Sequence, residues 1–175
     1  MKESKIFLIG FMCSGKSSLA SKLSRALRWR HVDTDREIEK LTGKAIAQIF
    51  KQEGEAFFRQ LELNVLSEIA KHEKIVVSTG GGLGANKEAL KIMLSSGFVV
   101  WLKIDFETFI SRCFQTNRPL LSLSKDELRE LMIKRNETYK LAHLTLDASK
   151  TLNELASELL HCLDGVCNVN ELGSN

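Results

Sequence analysis

The stretch GFMCSGKS, residues 10–17, has the residue types and spacing of a loop that holds a phosphate chain. Glycines let such a loop curl until successive backbone N–H groups point at phosphate oxygens, and the helix that follows adds its positive N-terminal end. Lys16 would reach the β- and γ-phosphates, and the Ser17 hydroxyl would be a ligand for Mg²⁺. The pattern G-x-x-x-x-G-K-[ST] matches in full, so the sequence predicts a nucleotide-binding protein.

Two carboxylates, Asp33 and Asp35, lie at the end of RHVDTD, a short segment that is predicted to be a strand. If the chain is extended there, side chains two apart point the same way. Near a phosphate loop, one carboxylate could steady Mg²⁺ through water while the other meets the hydroxyl of a phosphate acceptor. A D-x-D pair after a strand is also a common helix cap, and both interpretations stay open.

Three consecutive glycines, residues 80–82, follow the run IVVST. A segment without side chains lets a ligand approach the backbone closely, although a flexible turn has the same composition. The segment lacks the D-x-x-G sequence of GTPases, and NKEA at 86–89 departs from their N-K-x-D sequence. A GTPase is therefore disfavoured.

Arginines are the candidate anion-binding groups outside the loop, and they stand at positions 59, 112, 118 and 135. An arginine on a helix most often faces solvent. Two that converge would instead grip a carboxylate in bidentate fashion, and one on a loop could stabilise phosphoryl transfer. Spacing in the sequence leaves these alternatives open.

Composition narrows the class of protein. The 175 residues are 43% hydrophobic and 27% charged, with a net charge of +3, which predicts one folded domain without a broad nucleic-acid surface. No apolar stretch reaches the length of a membrane span, and the start MKESK resembles no targeting signal. The four cysteines lack metal-ligand spacing and predict reduced thiols in the cytosol; they are Cys13, Cys113, Cys162 and Cys167. Cys13 precedes a helix, where a reactive thiolate is favoured.

The elements that must position these groups alternate between strands and helices. Five short segments are predicted to be strands: KIFLIG, RHVDTD, KIVVST, GFVVWLKI and LTLDA. Helix signals include Asp105 as an N-cap, a capping box from Ser124 to Glu127, and a long helical segment broken at Gly54. The alternation predicts an α/β domain whose parallel sheet gathers ligands at the carboxyl ends of its strands.

Five segments together resemble the shikimate kinase family: GFMCSGKSS, DTDREIEKLTGKAIAQIFKQEGEAFFRQLE, STGGG, RPLL and KRNETYKLAHLTLDAS. The family phosphorylates the 3-hydroxyl of shikimate with MgATP, on the route to chorismate and aromatic amino acids. Its P-loop kinase fold has a five-stranded parallel sheet flanked by helices, and a mobile lid. The resemblance implies one kinase domain at residues 1–163, a lid at about 115–125 and a loose tail at 164–175.

The resemblance also implies a nucleotide site. Lys16 and the lid residue Arg118 are implied catalytic residues that act on the ATP phosphates. Ser17 is the implied Mg²⁺ ligand, and Asp33 holds the ion through water. The other implied nucleotide-binding residues are Cys13, Ser14, Gly15, Ser18 and Arg112, with Ser149 and Lys150 near the adenine.

For the acceptor, the resemblance implies that Asp35 binds the shikimate hydroxyls and accepts the proton during transfer. Arg59 and Arg135 are implied to hold the shikimate carboxylate. The remaining implied contacts are the backbone of Gly80, Gly81 and Gly82 and the rings of Phe50 and Phe58.

Two positions depart from the family pattern: Cys13 stands where glycine is usual, and Ser18 replaces a common threonine. The residues alone predict a P-loop kinase of a small anion; ATP and shikimate as substrates, a monomeric state and a cytoplasmic location come with the resemblance. Another small-metabolite kinase, such as a gluconate kinase, is the rival enzyme. A nucleotide switch that transfers no phosphate is the rival from another class.

Overall fold

The protein is described by a computed structural model over residues 4–113 and 123–165. Its five strands pair in parallel in the order β2-β3-β1-β4-β5. They are β1 (Lys5–Ile9), β2 (Arg30–Asp33), β3 (Ile75–Ser78), β4 (Phe98–Lys103) and β5 (Leu144–Asp147). The five-stranded parallel sheet predicted from the sequence is confirmed.

Helices connect the strands and flank the sheet. They are α1 (Lys16–Leu27), α2 (Thr34–Thr42), α3 (Ile46–Ile69), α4 (Gly81–Gly84), α5 (Lys87–Ser96), α6 (Phe106–Cys113), α7 (Lys125–Tyr139) and α8 (Leu152–Leu163). The side chains from Ile6 to Ile9 in the central strand β1 are fully buried, as expected for a parallel strand covered on both faces. Within the described residues, the structure contains no helix that is both long and apolar enough to cross a membrane.

The strand register brings the predicted site residues to one edge of the sheet. Leu8 of β1 is level with Ser78 of β3, and Ser78 is level with Asp33 at the end of β2. Each of these three strands ends within two residues of these level positions. The phosphate loop, the two aspartates and the three glycines therefore begin side by side.

Local sequence signals set most of the helix ends. The Asp105 carboxylate accepts the backbone N–H of Thr108 at 2.8 Å, and Ser124 and Glu127 form the predicted capping box. Gly54 has a non-helical backbone and breaks α3 where the sequence predicts a break. The tail from residue 166 onward lies outside the described residues.

Two local predictions are wrong in detail. Strand β2 ends at Asp33, and Asp35 lies in the first turn of α2, so the two carboxylates do not share an extended segment. Asp33 is the N-cap of α2, where its side chain accepts the backbone N–H of Arg36. The glycines at 80–82 form neither a flexible turn nor a loop, because Gly80 caps the short helix α4 and the next two residues open it.

The prediction of reduced thiols is also wrong for two of the four cysteines. Cys13 in the phosphate loop and Cys113 at the end of α6 form a disulfide, with their Cα atoms 5.7 Å apart. No local pattern indicates this pairing, because 100 residues separate the two cysteines. A Cys13 thiolate is therefore available only when this bond is reduced.

Gly10 is the position where β1 must turn into the phosphate loop, and we expect it to tolerate no side chain. Its φ is +142°, and a Cβ built there would lie 2.6 Å from the carbonyl oxygen of Leu102 in the neighbouring strand. Gly10→Ala should lower the free energy of unfolding by about 1–3 kcal/mol because the clash is with backbone. Urea denaturation measures the change.

The matched control for Gly10→Ala is Gly43→Asn. Gly43 also has a positive φ, +65°, but nothing lies within 4 Å of a Cβ built there. Asparagine tolerates this left-handed backbone, so the control should change stability by less than about 0.5 kcal/mol. Equal losses in the two variants would show that the contact with Leu102 is unimportant.

Candidate active site

The phosphate loop folds around the ammonium group of Lys16, which is largely buried. Lys16 Nζ donates to the carbonyl oxygens of Gly10 at 3.0 Å and Phe11 at 2.7 Å, and to Ser14 Oγ at 3.4 Å. The lysine follows Gly15, whose φ of +91° allows the turn into α1. This geometry places a fixed positive charge and the N-terminus of a long helix in one loop, which suits a phosphate chain.

A second cluster joins the loop to the ends of β2 and β3 through oxygen atoms. Asp33 Oδ2 accepts the hydroxyl of Ser17 at 3.0 Å and the hydroxyl of Ser78 at 2.8 Å. Because Ser78 gives its only hydroxyl proton to Asp33, the His31 Nε2 atom 3.0 Å away must be the donor to Ser78 Oγ. The Asp33 carboxylate is thereby held beside the first helical turn after the loop.

The three glycines at the start of α4 each face a different charged side chain. A Cβ built on Gly80 would lie 2.6 Å from Asp35 Oδ1, and one on Gly82 would lie 2.5 Å from Arg59 Nη1. A Cβ on Gly81 would lie 3.3 Å from Arg135 Nη1 and 3.6 Å from the backbone nitrogen of Met12. Groups from α2, α3 and α7 therefore converge on one stretch of bare backbone beside the phosphate loop.

Arg59 is held in place by its own helix and by two rings. Its guanidinium donates to Glu62 Oε2 at 2.6 Å and to Glu55 Oε1 at 3.0 Å and 3.2 Å. It also lies over Phe50 and Phe58, at 5.9 Å and 5.5 Å from the ring centres, and these rings pack on each other at 4.5 Å. The cation is thus oriented before any ligand binds, which lowers the entropy cost of binding an anion.

Electrostatics confirms that the two arginines are close. The Arg59 charge is among the causes that lower the pKa of Arg135, although burial is the largest cause. The pKa of Glu62 is raised because burial outweighs the attraction of Arg59, and Asp35 and Arg135 also act on it. Two cations in one partly buried site favour a bound anion.

Tyr139, at the end of α7, links this cluster to the three glycines. Its side chain is fully buried, and its hydroxyl donates to the carbonyl oxygen of Gly81 at 2.6 Å. A hydrogen bond with Arg135 also acts on the Tyr139 pKa, which burial raises. One phenol therefore fixes both a guanidinium and the backbone opposite it.

A cavity of about 360 Å³ opens on the other side of the phosphate loop. Arg112 lies in its wall and donates from Nη1 to the carbonyl oxygen of Ala148 at 2.8 Å, so its guanidinium is anchored and not simply solvated. The lining residues are Ser14, Gly15, Ser18, Arg112, Ala148, Ser149, Lys150, Thr151, Leu152 and Leu155. The cavity is of a size that can take a nucleoside.

The structure gathers the predicted site residues that it describes into two adjoining regions, one at the loop and cavity and one at the three glycines. Arg118 and residues 115–122 of the predicted lid lie outside the described residues. Sequence analysis missed Glu62 and Tyr139. The signal for Glu62 was its spacing of three from Arg59 on one helix face, whereas the contact between Tyr139 and Gly81 spans 58 residues.

Comparison with known proteins gives one consistent result. Residues 12–164 match the profile of the family described as shikimate kinase. A shikimate kinase of Aquifex aeolicus (strain VF5) is 46% identical over 162 residues, which cover 92% of this chain and 96% of that relative. The crystal structure of shikimate kinase from A. aeolicus VF5 has a TM-score of 0.82 at 45% identity, covering 97% of this chain and 99% of that one. Shikimate kinase from Acinetobacter baumannii in complex with shikimate has a TM-score of 0.87 at 32% identity, covering 94% of each chain.

Burial of Glu62 should make stability depend on pH in a direction opposite to that of most carboxylates. Because burial raises the pKa of Glu62 in the folded protein above its ordinary value, the unfolded chain ionises first as the pH rises. The contribution of Glu62 to the free energy of unfolding should therefore decrease as the pH rises above about 4, and it should level off once the pH is above the pKa of Glu62 in the folded protein.

Comparison with Glu62→Gln isolates this contribution, since the other carboxylates are common to both proteins. The stability of the wild type minus that of the variant should decrease as the pH rises, in urea denaturation between about pH 4 and about pH 8. A difference that increases with pH would mean that the ion pair with Arg59 outweighs the cost of burial.

Tyr139→Phe should remove the link between α7 and α4 while keeping the buried ring. The carbonyl of Gly81 would lose a hydrogen bond in the interior, which costs about 1–3 kcal/mol in the free energy of unfolding. The control is Ser24→Ala in α1, which removes a hydroxyl bond to the Ser21 carbonyl and should cost less than about 1 kcal/mol. Indistinguishable denaturation curves for the two variants would contradict a special role for Tyr139.

Proposed function

The chain belongs to the shikimate kinase family, and on that premise we propose that it transfers the γ-phosphate of MgATP to the 3-hydroxyl of shikimate. The observation that carries the proposal is the convergence of Asp35, Arg59 and Arg135 on residues 80–82, directly beside the phosphate loop. An acceptor bound there lies within reach of a phosphate chain held by residues 10–17.

The acceptor is held at its carboxylate by the two arginines. A guanidinium fork matches the two oxygens of a carboxylate, and two such groups from different helices fix its orientation. The bare backbone at residues 80–82 lets the charged groups that would contact the acceptor lie directly against it, and Phe50 and Phe58 pack beneath Arg59. The carboxylate therefore defines which hydroxyl faces the phosphate loop.

Asp35 acts at the hydroxyl end of the acceptor. In the reaction the hydroxyl oxygen forms a bond to the γ-phosphorus, the bond from that phosphorus to the leaving oxygen of ADP breaks, and the hydroxyl proton passes to a carboxylate oxygen of Asp35. Lys16 stabilises the negative charge on the transferring group and on the departing phosphate. Arg118 is proposed for the same phosphates, on the family resemblance alone.

The oxygen donors near the loop suit Mg²⁺, which prefers hard oxygen ligands and keeps several waters. The Ser17 hydroxyl and the Asp33 carboxylate, 3.0 Å apart, would hold it, the carboxylate through water. When bound, Mg²⁺ neutralises charge on the β- and γ-phosphates. Ser78 and His31 contribute by fixing the Asp33 carboxylate toward Ser17.

The nucleoside of ATP occupies the cavity on the far side of the loop. Arg112 lines that cavity with a guanidinium anchored on Ala148, so its flat face can pack against a base. Residues 13–18 supply the phosphate contacts. One kinase domain over residues 1–163, a monomeric state and a cytoplasmic location are further predictions that rest on the family resemblance.

Release of ADP across a panel of acceptors tests the proposed function. ADP release from MgATP should require shikimate and should be near background with gluconate or with no acceptor. Release with gluconate and not shikimate would favour the rival small-metabolite kinase. Nucleotide binding without release for any acceptor would favour a switch protein.

Substitutions in the acceptor site should separate binding from transfer. Arg59→Lys and Arg135→Lys should each weaken shikimate binding by about 2 kcal/mol or more, because an ammonium cannot copy the bidentate geometry. Asp35→Asn should retain shikimate but lose most turnover, because an amide cannot accept the proton. Calorimetric titration of shikimate and of an ATP analogue, together with ADP release, measures both effects.

Arg129→Lys is the matched control, since Arg129 is on α7 with Arg135 but is exposed and paired with Glu107. It should bind shikimate as the wild type does, and all four variants should bind the ATP analogue normally. If Arg59→Lys and Arg135→Lys also bind shikimate normally, the carboxylate clamp is wrong.

A further inference from the structure

The disulfide between Cys13 and Cys113 joins the phosphate loop to the end of α6. Its Cα separation of 5.7 Å is in the usual range for a disulfide, and it closes a loop of 100 residues. Cys13 contributes its backbone to the phosphate loop, but the transfer reaction proposed above uses neither thiol. The bond is therefore a feature of this chain that phosphoryl transfer does not explain.

The backbone at Cys13 explains why a crosslink there would matter. Its φ is +58°, in the left-handed region that a residue with a Cβ adopts reluctantly. Gly15, two residues on, also has a positive φ, but glycine adopts this without cost. The loop that must aim its N–H groups at phosphate oxygens thus contains one position whose side chain works against the required shape.

The other end of the crosslink is a rigid part of the fold. Cys113 and Phe109 of α6 are fully buried, and Phe109 packs edge-on against Phe11 of the phosphate loop at 5.0 Å between ring centres. Arg112, next to Cys113, is anchored on Ala148 and lines the nucleoside cavity. The disulfide therefore fixes the phosphate loop to the element that forms part of the same nucleotide site.

We propose that the Cys13–Cys113 pair is a redox modification site whose disulfide braces the phosphate loop, so that the oxidised enzyme binds ATP more tightly than the reduced enzyme. The physical basis is preorganisation: the crosslink restricts the loop to the left-handed conformation at Cys13 before the nucleotide arrives. The proposal rests on ATP being the phosphate donor.

The oxidant is a low-molecular-weight disulfide such as oxidised glutathione. Cys13 is partly exposed, so its thiolate attacks one glutathione sulfur, forms a mixed disulfide and releases one glutathione thiolate. The Cys113 thiolate then attacks Cys13 Sγ and releases the second glutathione thiolate. The two cysteines together lose two electrons and two protons. One molecule of oxidised glutathione gains these electrons and protons and becomes two molecules of reduced glutathione.

The test compares one preparation of the full chain after oxidation with oxidised glutathione and after reduction with dithiothreitol. Intact mass under denaturing conditions should show the oxidised protein lighter by two hydrogen atoms. Calorimetry should show that it binds a non-hydrolysable ATP analogue about 3- to 10-fold more tightly than the reduced protein, with shikimate affinity unchanged. Its thermal midpoint should also be higher, because the crosslink restricts the unfolded chain.

Three variants assign the effect to the pair. After reduction, Cys113→Ala should bind the analogue as the reduced wild type does. After treatment with oxidised glutathione it can form the mixed disulfide at Cys13 but not the crosslink, so its analogue binding should not tighten. Cys13→Ala cannot form the crosslink either and should show no tightening on oxidation. Cys162→Ala, which removes a buried cysteine of α8, should keep the full response. A second substitution, Cys113→Ser, repeats the test if the alanine variant is poorly folded.

Several outcomes would overturn the proposal. These are failure of the oxidised sample to lose two hydrogens, equal or weaker analogue binding by the oxidised wild type, and tighter analogue binding after oxidation of Cys113→Ala. Absence of shikimate-dependent ADP release in both redox states would instead remove the proposed function. In that case, the ratio of the analogue affinities of the oxidised and reduced proteins would still test the role of the disulfide.

Discussion

The site depends on a steric constraint: residues 80–82 carry no side chains, and the space that side chains would fill is occupied by charged groups from three helices. A single Cβ at Gly80 or Gly82 would lie within 2.6 Å of the Asp35 or Arg59 side chain. Because Gly81 also lies close to the phosphate loop, the same backbone separates the proposed acceptor site from that loop. The strand register sets this arrangement, since Leu8 and Ser78 are level in neighbouring strands.

Charge balance in the acceptor site follows from that crowding. Arg59 and Arg135 repel each other, and the buried Glu62 offsets part of the repulsion while remaining costly to ionise. The pKa of Arg59 is nevertheless raised: burial lowers it, but the hydrogen bonds and charges of Glu62 and Glu55 outweigh burial, so the guanidinium stays charged. Tyr139 adds stiffness, because its hydroxyl holds the backbone of Gly81 in place under Arg135. The resulting specificity is for a small anion with hydroxyls at a fixed distance from its carboxylate.

The nucleotide side is organised differently, around backbone conformation and not around charge pairs. Gly10 and Gly15 supply the positive φ angles, and Cys13 adopts one without being glycine. The contact of Phe109 with Phe11 and the disulfide from Cys113 both tie this loop to α6. The loop is thus supported from outside at the position where its own backbone preference is least favourable.

The sequence by itself determined the order of the elements and the position of the phosphate loop. These features depend on local patterns: a five-strand alternation, capping residues such as Asp105 and Ser124, and motifs of contiguous residues. Only the tertiary structure decided that Arg59 and Arg135 converge, that Tyr139 holds Gly81, and that Cys13 meets Cys113. Tyr139 and Gly81 are 58 positions apart in the sequence, and Cys13 and Cys113 are 100 apart. No local propensity encodes a contact over such a separation. Asp35 makes the same point on a small scale, because β2 ends two residues earlier than predicted and Asp35 therefore lies in a helix and not in a strand.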